Sequence, residues 1–223
     1  ARSISNGLTI PEFSHAHSDT VNTTRSGSRS RQKRTQSLAN DAVSVQDIIA
    51  ILQGHGENHE HPHYSMFNGG LHAPCVHAGG MAKNSQTTAS WVAELREDSH
   101  QHWVTATSAP CTSLYKPIQV DTPLDLPTAE DKFNDSLWWR HEALHRLVTQ
   151  NSEALLPVYM NERDTVQRKW LKTPPDSAKA FELADELLSQ WTTRVKIQPA
   201  RDIRPSWAKK YWTKRNHRAG LIA

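Results

Sequence analysis

Three groups of residues in this chain have side chains suited to acid–base, nucleophilic or metal chemistry. The first is His141-Glu142-Ala143-Leu144-His145. On a helix, HExxH sets two imidazoles one turn apart on one face, which suits zinc with the glutamate as base. Glu162, in Asn161-Glu162-Arg163-Asp164, is the residue placed to add a third ligand. Arg140 and Arg146 flank the motif, however, and a guanidinium beside a dication is costly. The preferred reading is therefore a structural helix whose Glu and His meet arginines at helical spacing, with zinc on His141, His145 and Glu162 as the alternative. The second group is His55, His59, His61 and His63, with His72, Cys75 and His77 nearby. These are borderline and soft ligands, yet no spacing among them repeats a zinc finger or ribbon, so solvated loop histidines are expected, without metal or cofactor. The third is the pair Cys75 and Cys111. A thiolate nucleophile needs a positioned base and a lowered pKa. His77 would share a strand face with Cys75, but both thiols read as small core residues.

The elements that must position these groups follow from pattern. Ser85 to Pro117 organises the chain. Trp91, Ala93 and Leu95 alternate on one face, Trp103, Thr105 and Thr107 do so again, and the charged Arg96 to Ser99 spacer lies between, which predicts an antiparallel hairpin with Trp91 and Trp103 both facing inward. Pro110 and Pro117 bracket a third extended segment, Cys111 to Lys116. Upstream, Ser3 to Ile10 reads as a short strand ended by Pro11, and Ser44 to Gln53 as a helix capped by Ser44, with Asp47 in its first turn and Gly54 at its end. Cys75 to His77 reads as a short strand. Downstream the period turns helical from Ser136, is interrupted near Asn151, continues toward Leu171, and breaks at Pro174-Pro175. Asp176 or Ser177 then caps a helix with Phe181, Ala184, Leu188 and Trp191 on one face. The expected organisation is α+β: a sheet-rich part over 1–135, two long helices over 136–198 packed on it, and a basic aromatic tail over 199–223.

Bulk composition excludes several classes. The net charge is +3 and the pI about 8.9, with the basic excess local to Lys209, Lys210, Lys214, Arg215 and Arg218. Trp207, Tyr211 and Trp212 among them read as packing residues rather than a nucleic-acid surface. Two cysteines make no disulfide framework, and no apolar run is long enough to span a bilayer. The expected compartment is the cytoplasm.

Several motifs in fixed order carry a family resemblance: ISNGLTI (Ile4 to Ile10), HSDTVNT (His17 to Thr23), APCVHAGG (Ala73 to Gly80), SQTTASWVAEL (from Ser85), HWVTATSAPCTSLYKP (from His102) and LWWRHEALHR (from Leu137). Together they resemble secernins and related bacterial dipeptidases, which are cysteine N-terminal-nucleophile hydrolases. The resemblance implies the C-terminal part of an α/β/β/α sandwich and hydrolysis of small peptides, with the HEALH helix outside the catalytic centre. Such enzymes begin with their nucleophilic cysteine, whereas this sequence begins with Ala1, so the missing N-terminal portion becomes an expected partner and the chain alone is expected to be inactive. Asn6 looks like the oxyanion asparagine of related choloylglycine-type amidases. Their later arginine maps to Arg34, with Arg31 as competitor. The terminal helices are expected to cover a sheet or to make contacts in a homo-oligomer. A zinc peptidase on His141, Glu142 and His145 and a non-catalytic interaction protein are the alternatives from other classes.

Overall fold

The computed structural model describes residues 2–57, 59–67, 70–81 and 84–221. Ala1 lies outside these residues.

Residues 2–10 form no strand. Pro11, expected to end one, instead opens helix α1 (Pro11–His17), because its fixed φ and missing amide proton suit a first helical turn. Asp19 caps α2 (Thr20–Arg25), its carboxylate accepting from the Asn22 amide. The basic, serine-rich stretch that follows is helix α3 (Ser28–Asp41). Gly27, at φ +63°, turns the chain into it, where a Cβ would lie 2.8 Å from the His72 ring. Ser44 and Asp47 form a reciprocal capping box on α4 (Val45–Gln53). Those bonds use two otherwise orphaned amide donors, and the helix buries Ile49.

The sheet has three antiparallel strands in the order β1 (Trp91–Leu95), β2 (His100–Val104), β3 (Lys116–Ile118). The hairpin is as expected, but one of its faces is not. Val92 sits opposite Trp103, and Trp91 opposite Val104. Residues directly opposite share a face, so Val92 and Trp103 point inward together while Trp91, Ala93 and Leu95 point out. Trp103 is 2% exposed and Trp91 61%; the expectation that both rings are buried is corrected for Trp91, which lies against His102 on the open face. The third extended segment is also shorter than expected. Pro110–Thr112 is a single 3₁₀ turn, and pairing to β2 begins only at Lys116, with Pro117 on the edge strand where its missing donor costs no ladder bond. Cys75 lies in a bend, and Cys75 to His77 belongs to no strand.

The rest is helical: α5 (Leu137–Val148), α6 (Ser152–Leu155), α7 (Pro157–Lys172), α8 (Ser177–Lys196) and α9 (Ser206–Ala219). Asn151 does interrupt the long helical run, because its side chain caps α6. Asp176 caps α8 just after the two prolines. The segment expected as a tail is largely α9, anchored where the Trp212 indole N–H donates to the Ala78 carbonyl at 3.0 Å. The molecule is thus α+β, but helices account for 49% of the described residues and strands for 6%. Residues 1–135 are not sheet-rich, since α1 to α4 precede three short strands. Among the described residues there is one sheet. No helix of these residues is long and apolar enough to cross a membrane.

One core joins Ile49 of α4, Trp103 of β2, Leu144 and Val148 of α5, Tyr159 of α7 and Trp191 of α8. Helix α7 turns an unusual stripe toward this core. Tyr159, Arg163, Gln167 and Trp170 are buried along one side of it. Gln167 accepts from the Tyr115 amide at 2.8 Å and donates to the Tyr115 carbonyl at 3.1 Å. Tyr159 donates to the Thr112 carbonyl at 3.2 Å, and Arg163 donates to the Cys111 carbonyl. Buried backbone groups must be paired, and here helix side chains take the place of a neighbouring strand along residues 111–115. That is how the Cys111 turn is held in place.

Candidate functional site

The His55, Cys75, His77 and Cys111 side chains converge beside that turn, all four buried, with their ligand-type atoms within 4.8 Å of one another. His55 lies just past α4, where the Gly54 carbonyl accepts from the Cys75 amide at 3.1 Å and ties the two segments together. Thr87 bridges next to it: its hydroxyl donates to the Pro74 carbonyl at 2.9 Å and accepts from the Val76 amide at 3.0 Å. His77 Nε2 is the hub, 3.4 Å from Cys75 Sγ, 3.3 Å from Cys111 Sγ and 3.3 Å from His55 Nε2.

Behind His77 stands a relay from α5. His77 Nδ1 is 3.0 Å from His145 Nε2, and His145 Nδ1 is 3.2 Å from Glu142 Oε2. Glu142 also accepts from Arg146 Nε at 2.7 Å, Gln86 Nε2 at 2.9 Å and the Ser108 hydroxyl. Burial opposes its charge, but His145, Arg146 and Ser108 outweigh that and bring its pKa down to about 2. A carboxylate can only accept, so the proton between it and His145 lies on Nδ1. With His145 neutral, its Nε2 accepts from His77 Nδ1–H, and His77 Nε2 is left with its lone pair toward the two sulfurs. On the other side, His55 Nδ1 lies 2.9 Å from the Glu60 carbonyl and must donate, which leaves its Nε2 bare as well.

The thiols are unequal. Burial works against a thiolate at Cys111, but the bond from Cys75, and the two imidazoles when they turn a proton toward the sulfur, hold its pKa well below the usual thiol value. Burial and the neighbouring Cys111 push Cys75 well up. Burial lowers His77. The expectation that both cysteines are core residues holds for their burial, but it missed the imidazoles against them.

The alternative zinc set does not assemble. His141 Nε2 donates to the Thr112 carbonyl at 3.2 Å, His145 is engaged by His77 and Glu142, and Glu162 accepts from the Trp191 indole at 2.9 Å and pairs with Arg194. Within HEALH the working contact is Glu142 to His145, three residues apart, and Glu142 is held by four donors rather than facing a site for water. His141 is held neutral by burial and the nearby Lys116, its pKa down to about 3.

Asn6 and Arg31 do come together. Arg31 Nη2 donates to Asn6 Oδ1 at 2.5 Å, and its Nε donates to the Ser5 hydroxyl at 3.1 Å. Arg31 is itself fixed by donation to the Ser26 carbonyl at 3.3 Å and to the Leu71 carbonyl. Arg34 is not part of this group; among the described residues its buried Nε has no hydrogen-bond partner. Of the two candidate arginines, Arg31 is the one that touches Asn6.

Sequence reading passed over the tetrad because its members come from three segments with no fixed spacing. The His77 pairing reaches back 22 residues to His55 and forward 34 to Cys111. The available signal was the two-residue step from Cys75 to His77 within APCVHAGG. The chain matches no protein-family model, no curated protein and no solved structure.

Proposed function

We propose that the chain is the C-terminal portion of a secernin-like cysteine hydrolase of small peptides, with an N-terminal-nucleophile α/β/β/α sandwich completed by segments outside these residues. The observation that carries this reading is the Asn6–Arg31 contact. Arg31 occupies the Asn6 carbonyl oxygen, so the amide Nδ2, which makes no hydrogen bond among the described residues, is the end presented to a ligand oxygen. A fixed side-chain donor aimed at a developing oxyanion is what acyl transfer requires. Cys75 and Cys111 are buried away from any peptide, so the nucleophile is the N-terminal thiolate of the complete enzyme, with its α-amine as base. The α-amine takes the thiol proton as the sulfur attacks the amide carbonyl, Asn6 Nδ2 donates to the resulting oxyanion, the ammonium passes that proton to the departing amine, and water hydrolyses the thioester to the free acid and the thiol. In this reading the enzyme is cytoplasmic and associates with further copies of itself through its terminal helices.

The test joins this chain to an N-terminal portion of a secernin-type enzyme that begins with cysteine, in one chain or as two fragments. Dipeptide hydrolysis should appear, and thiol alkylation should abolish it. Asn6→Ala should lower turnover about 100- to 1,000-fold, the usual loss of one oxyanion donor, with little change in thermal midpoint. Near-normal turnover in that variant, or simple unfolding, would make Asn6 a loop residue and remove the support for this reading.

A further inference from the structure

We propose that His55, Cys75, His77 and Cys111 form a closed structural zinc site, a function separate from the hydrolase reading and independent of it. Three arguments lead there. The first is geometric. Zinc bonds of about 2.05 Å to nitrogen and 2.3 Å to sulfur, set tetrahedrally, place donors about 3.3 Å apart for a nitrogen pair and about 3.5 Å apart for nitrogen and sulfur. Around His77 Nε2 the observed separations are 3.3 Å to His55 Nε2, 3.3 Å to Cys111 Sγ and 3.4 Å to Cys75 Sγ. These match three of the six edges of a tetrahedron around one ion, and all four donor atoms lie within 4.8 Å of one another.

The second argument is proton counting. His145 and the Glu60 carbonyl take the Nδ1 protons of His77 and His55. Two bare imidazole lone pairs therefore face each other in a buried site, a repulsive arrangement that a shared cation reverses. The outer partners are those that orient metal-bound histidines, a carboxylate–histidine relay on one and a backbone carbonyl on the other. The third argument is charge. Zinc binds both sulfurs as thiolates, and a dication with two thiolates and two neutral imidazoles has no net charge. Such a centre tolerates complete burial, as these four residues require. With four protein donors no position is left for water, so the site is structural. It clamps the end of α4, the loop carrying Cys75 and His77, and the Cys111 turn that α7 holds from the other side.

The experiment uses the whole chain, reduced, stripped of metal and then titrated with zinc or with cobalt(II). About one zinc per chain should survive extensive dialysis. Cobalt should give the intense visible bands of a tetrahedral ion together with thiolate charge-transfer absorption. Zinc should protect both thiols from a thiol reagent. Cys111→Ser and His55→Ala should lose the bands, whereas His59→Ala, an exposed histidine of the same loop, should keep them. Glu142→Gln should weaken binding about 10- to 100-fold through the His145–His77 relay. The wild-type cobalt spectrum needs no variant to fold. Absence of a thiolate band, less than about a tenth of a zinc per chain, a Cys75–Cys111 disulfide whose reduction restores no metal uptake, or equal retention by Cys111→Ser would each overturn the proposal. None of these readouts measures hydrolysis, so either reading can fail without the other.

Discussion

Replacing Glu142 with glutamine perturbs a buried charge held by four donors. The carboxylate is buried among Arg146, His145, Gln86 and Ser108, and its pKa falls from an ordinary 4.5 to about 2. At about 1.4 kcal/mol per pH unit, that depression stabilises the fold by about 3 kcal/mol at neutral pH. Between those two values the unfolded chain binds more protons than the folded one. This stability is therefore present in full above pH 4.5 and is lost as pH falls toward 2. Glutamine has the shape of the protonated acid, so Glu142→Gln should cost about 3 kcal/mol at pH 7, and the gap to wild type should close on acidification. Chelator-treated protein, unfolded by urea at a series of pH values, separates this effect from any metal. A penalty that stays constant from pH 7 to pH 3, or one below about 1 kcal/mol at pH 7, would refute the reasoning, because the charge would then not be what the network stabilises.

Trp103→Ala should cost about 3–5 kcal/mol in urea unfolding and Trp91→Ala less than about 1, because only the first ring is buried; equal losses would refute the sheet register. Gln167→Leu strands the buried amide and carbonyl of Tyr115 and should cost about 2–4 kcal/mol, seen as a drop in urea midpoint with little change in helical circular dichroism. His141, neutral in the fold with its pKa at about 3, makes the unfolded chain the better proton binder between about pH 6.5 and pH 3. Stability should therefore decline through that range by up to about 5 kcal/mol on its account, and His141→Gln, which can still donate to the Thr112 carbonyl, should flatten the decline.

Much of the local structure was legible in the residues. The Ser44–Asp47 capping box, the stop at Pro174-Pro175 and the cap at Asp176 depend on groups within four positions of one another, and such interactions read the same in any tertiary setting. The Trp91–Val104 hairpin was legible as well, since alternation and a charged spacer are local. Period 2 establishes that Trp91, Ala93 and Leu95 share a face, but not whether that face is covered, because cover comes from elements far along the chain. In this fold the Trp103 and Val92 face took the core. The helices over 11–41 and 206–219 are hard to read locally, because their apolar periodicity is weak and their serines, arginines and lysines resemble those of linkers.

The sites divide along the same line. HEALH read correctly as helical, and its sequence places His141 and His145 one turn apart. What those rings meet was decided elsewhere: the Thr112 carbonyl for one, His77 and Glu142 for the other. Residue types at His55, Cys75, His77 and Cys111 established that soft ligands exist. Only packing of α4, the Cys111 turn and the α5 relay around one point made them a set of four, since the positions that fold together are fixed by core burial and not by separation along the chain.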